Sequence, residues 1–231
     1  MLRETAKRAL RRAGRTRIGR NAIYAATMPD PRGAGLAGAD WPPSLAGFED
    51  LAFLFTSGEL NHGIASLAFD EAAYLYRIAR RLGPATIVEV GRFRGGSTLV
   101  LSTAMDEGAE LHSYDLSRPD AALVHALGQY GLAGRVHLHV GDSRTAPAPP
   151  QPCALVFIDG DHSYAGARAD YERWSRLLRP AGHLLFHDAA HGPGYRSFDE
   201  PVARLVAELE AEDGALRRAG GAGSIVHFTR Q

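Results

Sequence analysis

The 231-residue chain carries 26 basic and 26 acidic side chains, a formal net charge of zero, and its length suits one medium-sized domain with a short extension. A single cysteine, Cys153, excludes an internal disulfide and a cysteine-based zinc finger, and it reads as a reduced, cytoplasmic protein. No apolar stretch approaches the roughly 18 residues of a membrane span, and the basic start lacks the apolar run of a signal peptide.

The charge is unevenly placed. Residues 1–20 hold eight basic groups and one acidic group, and the rest of the chain holds 18 basic and 25 acidic groups. An acidic body is a poor nucleic-acid ligand, so no nucleic-acid partner is expected. Residues 2–13 read as a basic helix with Leu2, Ala6 and Leu10 on one side, and Arg15, Arg17 and Arg20 continue the run. Two readings of this arm, residues 1–28, stand beside each other: contact with an anionic membrane surface through residues 1–20, or a solvated or subunit-packing segment, which the thin apolar side favours. Residues 29–60, broken by Trp41-Pro42-Pro43, read as a linker or an active-site cover. Trp41, Phe48, Phe53 and Phe55 there either exclude water from a site or pack on the main domain or a second copy, as in a homodimer. Residues 61–231 read as the main domain.

Residues 49–55 suggest a short helix. Ser66 is a candidate cap for the next one, with Phe69, Ala72, Ala73, Tyr76 and Ala79 at helical spacing and Gly83-Pro84 as its stop. From Thr86 strands and helices alternate. Thr86–Val90 is a buried parallel strand, and Gly96 or Ser97 begins a helix. Leu111–Tyr114 is a second strand. Ser117–Asp120 opens a helix, with Pro119 near its first position and Leu123, Ala126, Leu127 and Tyr130 on its buried face. Val136–Val140 is a third strand, followed by a Pro-rich loop over residues 145–152. Ala154–Ile158 is the fourth strand. The helix after it carries Tyr164, Ala167, Tyr171, Trp174 and Leu178 on one stripe. Gly182–His187 is the fifth strand. Pro201 opens a helix bearing Val202, Leu205, Val206 and Leu209. Ser224–Thr229 is the last strand, with Ala215–Arg218 as a weaker partner. Repeated strand–helix units predict a doubly wound α/β sheet.

The organising feature is positional. Asp115, Asp142, Asp159 and Asp188 each follow an apolar strand, and Glu89 lies near the end of the first. In an open parallel sheet those carboxyl ends border the ligand crevice. The strongest local signal is Glu89-Val-Gly91-Arg-Phe-Arg-Gly95-Gly96-Ser97. Its glycines permit a sharp strand-to-helix turn, and amides near Ser97 can hold a carboxylate. Phe93 stands where a dinucleotide fingerprint needs its second glycine, and no phosphate-loop lysine follows.

The set Glu89, Gly91, Gly95 and Ser97 resembles the first motif of the class I S-adenosylmethionine-dependent methyltransferases. Phe157-Ile-Asp-Gly-Asp-His-Ser-Tyr164 and Leu178 through Asp188 resemble more narrowly the small metal-dependent O-methyltransferases of the macrocin type, which modify sugars and natural products. The resemblance covers roughly residues 60–230. It implies a mostly parallel, seven-stranded, Rossmann-like sheet with an antiparallel final strand. It further implies that Gly91 and Gly95 flank the methionine part of S-adenosylmethionine, that Asp115 takes the ribose hydroxyls, and that Asp142 and Ser143 lie near the adenine. Asp159 and Asp188 then face each other at the edge of the cofactor pocket and suit Mg2+. Ala189 departs from the pattern, leaving Asp161, His187 and water as third-ligand candidates; His187 would also admit Mn2+. The metal would orient a substrate hydroxyl and lower its pKa.

A hydroxyl acceptor also benefits from a base. His162 is the first choice, with His187 and His191 as alternatives. His62 is placed at the cofactor mouth. Arg92 and Arg94 either meet an acidic substrate or remain solvated. Tyr164 and Trp174 read as packing residues and Cys153 as inert. His112, His125, His137, His139, His183 and His227 show no companion pattern. The expected function is methyl transfer to a hydroxyl of a sugar, glycoconjugate or small natural product. The alternatives are a metal-dependent hydroxylase resembling the cephalosporin-hydroxylase branch, and a non-catalytic S-adenosylmethionine binder.

Overall fold

Seven strands form one sheet in the order β3-β2-β1-β4-β5-β7-β6 in a computed structural model that describes residues 41–55, 67–190, 200–212 and 214–231. The expectations for the basic arm, residues 29–40, His62, Ser66 and His191 lie outside the described residues. The strands are β1 (Thr86–Val90), β2 (Glu110–Asp115), β3 (Val136–Val140), β4 (Cys153–Ile158), β5 (Leu178–Phe186), β6 (Leu216–Ala222) and β7 (Ile225–Arg230). β1 to β5 pair in parallel, and β7 runs antiparallel to both neighbours, β5 and β6. The helices are α1 (Phe69–Ala79), α2 (Gly96–Ala104), α3 (Ala121–Gln129), α4 (Tyr164–Trp174) and α5 (Glu200–Glu212), with a 3-10 turn over Phe48–Leu54.

The alternation of side chains along the strands sorts the core into two layers. Ile87, Leu111, Leu155, Phe157 and Leu185 pack against α1, α2, α3 and the 3-10 turn. Val88, Val90, Tyr114, Val156, Leu184 and Phe186 pack against α4 and α5, including the fully buried Trp174. The segment from β3 to β4 carries no helix. Over that corner of the second face lies its Pro-rich loop, whose Pro147 carbonyl accepts from Tyr114 Oη at 2.8 Å.

Several boundaries differ from the sequence reading. The cap position of α1 is Ala68, not Ser66, because the Glu71 carboxylate reaches back to the Ala68 N–H at 2.7 Å. The helix is also rotated: Glu71, Ala72, Leu75 and Ala79 face inward, and Phe69 is 58% exposed at the rim of an aromatic group with Phe48 and Phe55. α3 begins at Ala121 with Asp120 as its cap, the carboxylate accepting from the Ala122 N–H, so Pro119 precedes the cap instead of taking the first helical position. β5 begins at Leu178, four residues early, and reaches its long parallel pairing through an irregularity against Cys153–Leu155. Trp41, Phe48 and Phe53 pack on the first core layer, and Tyr130 Oη donates to the Pro42 carbonyl.

Candidate active site

Parallel pairing puts the acidic residues on one rim. Past the last paired residues, the Gly91 N–H donates to the Tyr114 carbonyl (2.9 Å), Asp159 N–H to Val90 (2.7 Å), His187 N–H to Ile158 (3.0 Å) and Gly141 N–H to Asp115 (2.8 Å). These bonds carry the ladder one step beyond β1 to β5, so Gly91, Asp115, Gly141, Asp159 and His187 stand side by side. The glycine loop is pressed against its neighbour: a Cβ on Gly91, whose φ is +90°, would lie 2.0 Å from the Asp159 carbonyl oxygen. Gly95, φ +95°, is the N-cap residue of α2 and sits against Leu123.

Asp115 holds the loop from the other side. Its Oδ2 accepts the N–H groups of Arg92 (3.0 Å) and Phe93 (2.8 Å), and Oδ1 accepts the Ser117 N–H (2.7 Å). A carboxylate offers about four acceptor positions, so roughly one remains for an incoming hydroxyl. Exposed apolar side chains flank it: Phe93, at φ +48°, is 51% exposed and Leu116 is 77% exposed. Glu89 lies below the loop and is fully buried. Its Oε2 accepts from Thr98 Oγ1 at 2.7 Å and from Ser113 Oγ, and its Oε1 is buried without a partner. Burial raises its pKa, opposed by the Ser113, Ser97 and Thr98 hydroxyls. Ser97 is itself buried in the first turn of α2.

The sequence reading of Arg92 as solvated or substrate-facing is corrected. It is buried, and its guanidinium donates to the carbonyls of Ser113 (2.9 Å), His139 (3.3 Å) and Ser117 (3.0 Å). It ties the ends of β2 and β3 together from beneath, a task five fixed donors can perform.

A second charged group occupies the β4–β5 side. His187 Nδ1 faces Asp159 Oδ1 at 2.9 Å and Asp188 Oδ2 at 3.3 Å, and Nε2 faces Glu71 Oε2 at 3.2 Å. Burial opposes charge on this imidazole, but Asp159, Asp188 and Glu71 prevail and hold its pKa well above the usual value. The Glu71 carboxyl is pushed down to about 2: burial raises it, and the paired His187 and the Ser224 and Ala68 amides outweigh that. Glu71 also takes the Ser224 hydroxyl at 2.7 Å, and that oxygen accepts the Asp188 N–H at 3.1 Å. Asp188 itself has φ +52°, a conformation L residues rarely adopt. His162 lies across the carboxylates, Nε2 3.5 Å from Asp159 Oδ1 and Nδ1 3.5 Å from Asp188 Oδ2, with its side chain 41% exposed. One ligand atom from each of Asp159, His162 and Asp188 falls within 4.8 Å of the others, a spacing that fits a cation.

Residues 88–189, which contain all these strand ends, match a protein-family model described as a methyltransferase domain. The strand ends described above therefore lie in the part of the chain that is similar to a methyltransferase domain. Solved structures share the fold. Cofactor-bound Rv0187 from MTB is 20% identical, with 94% of this chain and 93% of that chain covered and a TM-score of 0.61. SAH-bound PaMTH1 of Podospora anserina is 18% identical, with 94% and 97% covered and a TM-score of 0.60. The O-methyltransferase TomG of Streptomyces achromogenes, involved in tomaymycin synthesis and solved with SAM, is 19% identical, with 91% and 94% covered and a TM-score of 0.58.

Other predicted site residues are turned to local partners. Asp142 grips Arg144 with both oxygens (Nε 2.8 Å, Nη2 2.6 Å), which lowers its pKa to about 2. Ser143 Oγ donates to Asp170 Oδ1 at 2.6 Å. Asp161, a third-ligand candidate, accepts the Ser163 N–H at 2.9 Å. Tyr164 packs with Glu208, Arg168 and Arg204. Burial pushes the Cys153 thiol up to about 12, so it is inert. Among the described residues no helix is long and apolar enough to cross a membrane.

Glu71 is the functional residue the sequence reading missed. It stands one position from the predicted apolar face of its helix. Only the return of β7 brings Ser224 and that helix against β5.

Proposed function

We propose that the chain transfers the methyl group of S-adenosylmethionine to a hydroxyl of a small molecule, a sugar or another natural product. The observation that carries this reading is the convergence of two unlike halves on one rim. One half is a glycine loop with Asp115 and a buried, half-satisfied Glu89; the other is a pair of carboxylates with an exposed imidazole.

The residues fit the cofactor. Gly91, Gly95 and Ser97 line the turn that receives its methionine part, and Glu89 Oε1 is a buried acceptor in want of a donor such as an ammonium. Asp115 has acceptor capacity for a ribose hydroxyl, and Phe93 and Leu116 offer apolar surface beside it. Asp142 and Ser143 stand at the end of β3, on the adenine side. When bound, the cofactor supplies an electrophilic methyl on sulfur.

The residues also fit a divalent metal. Asp159 and Asp188 supply hard oxygens suited to Mg2+ or Mn2+, with water and substrate oxygens to complete the shell. A metal there would favour the ionised form of a bound hydroxyl. His187 serves a different purpose from the one its sequence position suggested. With both nitrogens facing carboxylates it is a cation that holds Asp159 and Asp188 in place. His162, exposed and adjacent to both, takes the hydroxyl proton as the base. Alignment of that oxygen with the methyl supplies much of the rate. The hydroxylase reading is disfavoured at this rim: the cluster of Asp159, His162 and Asp188 holds two carboxylates and one histidine, the reverse of the two-histidine, one-carboxylate set of an oxygen-activating iron site.

The test incubates full-length protein with methyl-labelled S-adenosylmethionine, catechols and glycosides, with Mg2+, Mn2+ or chelator. The reading expects a methyl ether and one S-adenosylhomocysteine per product, lost in Asp188→Ala and slowed in His162→Ala. Cofactor binding without a methylated product across the panel would favour the non-catalytic binder. Full activity in chelator would remove the metal.

A further inference from the structure

Outside this rim, three of the histidines given no role by the sequence reading form one cluster. β2 and β3 pair with His112 opposite His137 and Tyr114 opposite His139. Side chains on a strand alternate, so Glu110, His112 and Tyr114 share a face with His137 and His139. Trp174 of α4 covers Tyr114 on this face, and at the β3 edge the β3–β4 connection adds no helix. The rings stack there: His112 on His137 at 4.6 Å, and Tyr114 on His139 at 4.3 Å.

Three observations separate this cluster from ordinary packing. His112 is only 7% exposed, yet its Nε2 is buried without a hydrogen-bond partner, and so is Nε2 of His137. Both atoms converge on the same carboxylate oxygen, Glu110 Oε2, at 3.6 Å and 3.8 Å, too far for a hydrogen bond. His112 Nδ1 lies 3.2 Å from His139 Nε2. In the tautomer in which His112 Nδ1–H donates to His139 Nε2, the lone pair of His112 lies on Nε2, on the Glu110 side, as in the outer-sphere arrangement of a metal-binding histidine.

We propose that Glu110 Oε2, His112 Nε2 and His137 Nε2 form a second metal site, for Zn2+, with water in the fourth position and His139 orienting His112. One ligand atom from each of these three residues lies within 4.8 Å of the others. Zn–N and Zn–O bonds of about 2.0–2.2 Å in a tetrahedron need ligand spacings of about 3.3 Å, which modest rotation of the half-exposed His137 and Glu110 side chains provides. Two imidazoles and one carboxylate favour zinc over magnesium. The ion would staple edge strand β3 to β2 upstream of the ends that carry Asp115 and Asp142.

The experiment uses metal-stripped, full-length Asp188→Ala protein, in which the active-site cluster is disabled. Co2+ is added as a spectroscopic probe and then displaced with Zn2+. The proposal expects one equivalent of Co2+ with the visible absorption of four-coordinate cobalt, displaced stoichiometrically by Zn2+. It expects at least about tenfold weaker binding after His137→Ala, and the same after Glu110→Gln. His137 and Glu110 are half-exposed, so these variants test the site even if His112→Ala fails to fold. No cobalt bound in the Asp188→Ala protein, or binding unchanged in both His137→Ala and Glu110→Gln, overturns it.

Discussion

Gly91→Ala tests how tightly the cofactor loop and the metal-side carboxylate are built into each other. The new Cβ would lie 2.0 Å from the Asp159 carbonyl oxygen, where ordinary contact begins at 3.4 Å, so about 1.4 Å must be found by moving one strand end. Left-handed backbone at an L residue costs about 1–2 kcal/mol, and overpacking a rigid site about 1–3 kcal/mol more. Gly83→Ala is the control, because Gly83 has φ +68° and open space around its Cβ. It bears the backbone cost alone. Urea unfolding of both variants separates the terms: Gly83→Ala should lose about 1–2 kcal/mol, and Gly91→Ala about 2–5 kcal/mol. Displacing Asp159 by an ångström also predicts about a hundredfold loss in kcat/KM, with Gly83→Ala near wild type. Equal destabilisation of the two variants, with turnover intact in both, would refute the contact.

Three further outcomes are expected. Burial and the neighbouring His183 lower the His227 pKa to about 4, so the folded chain binds this proton later than the unfolded chain, whose histidine titrates near 6.5. Stability therefore falls as pH drops below about 6.5, by about 2 kcal/mol from this group between pH 7 and pH 5; His227→Gln should flatten that slope, and an unchanged slope in urea titrations at the two pH values counts against it. Glu71→Ala, which strands a buried imidazolium, should cost about 3–5 kcal/mol, with Glu71→Gln milder; thermal melts showing no loss in Glu71→Ala would mean that His187 is not charged. Arg92→Lys should not restore what Arg92→Ala loses, since one ammonium cannot reach the Ser113, Ser117 and His139 carbonyls together; full rescue in unfolding experiments would contradict the three-carbonyl tie.

The fold was legible because each local signal agreed with the others. The β-branched run at Thr86–Val90, the glycines after it and the acid after each strand are short-range features, and parallel pairing then forces the acids onto one rim. The cap of α1 was misread because a buried carboxylate at its third position replaced the expected serine. Arg92 was misread because its environment is made of carbonyls from two other strands, and no pattern near residue 92 reports on those. The same holds for the histidines. The alternation of His137 and His139 is visible in the sequence, but their pairing with His112 depends on the β2–β3 register. Glu71 stands 116 residues before His187 and 153 before Ser224, so no local pattern reports that the three are joined through one carboxylate.

The most direct test of the account is a calorimetric titration of S-adenosylhomocysteine into wild-type, Asp115→Ala and Asp188→Ala protein. The account predicts one site per chain, weakened at least about tenfold by Asp115→Ala, which loses a charged hydrogen bond, and little changed by Asp188→Ala. No binding to the wild type, or equal affinity in the Asp115→Ala protein, would contradict it.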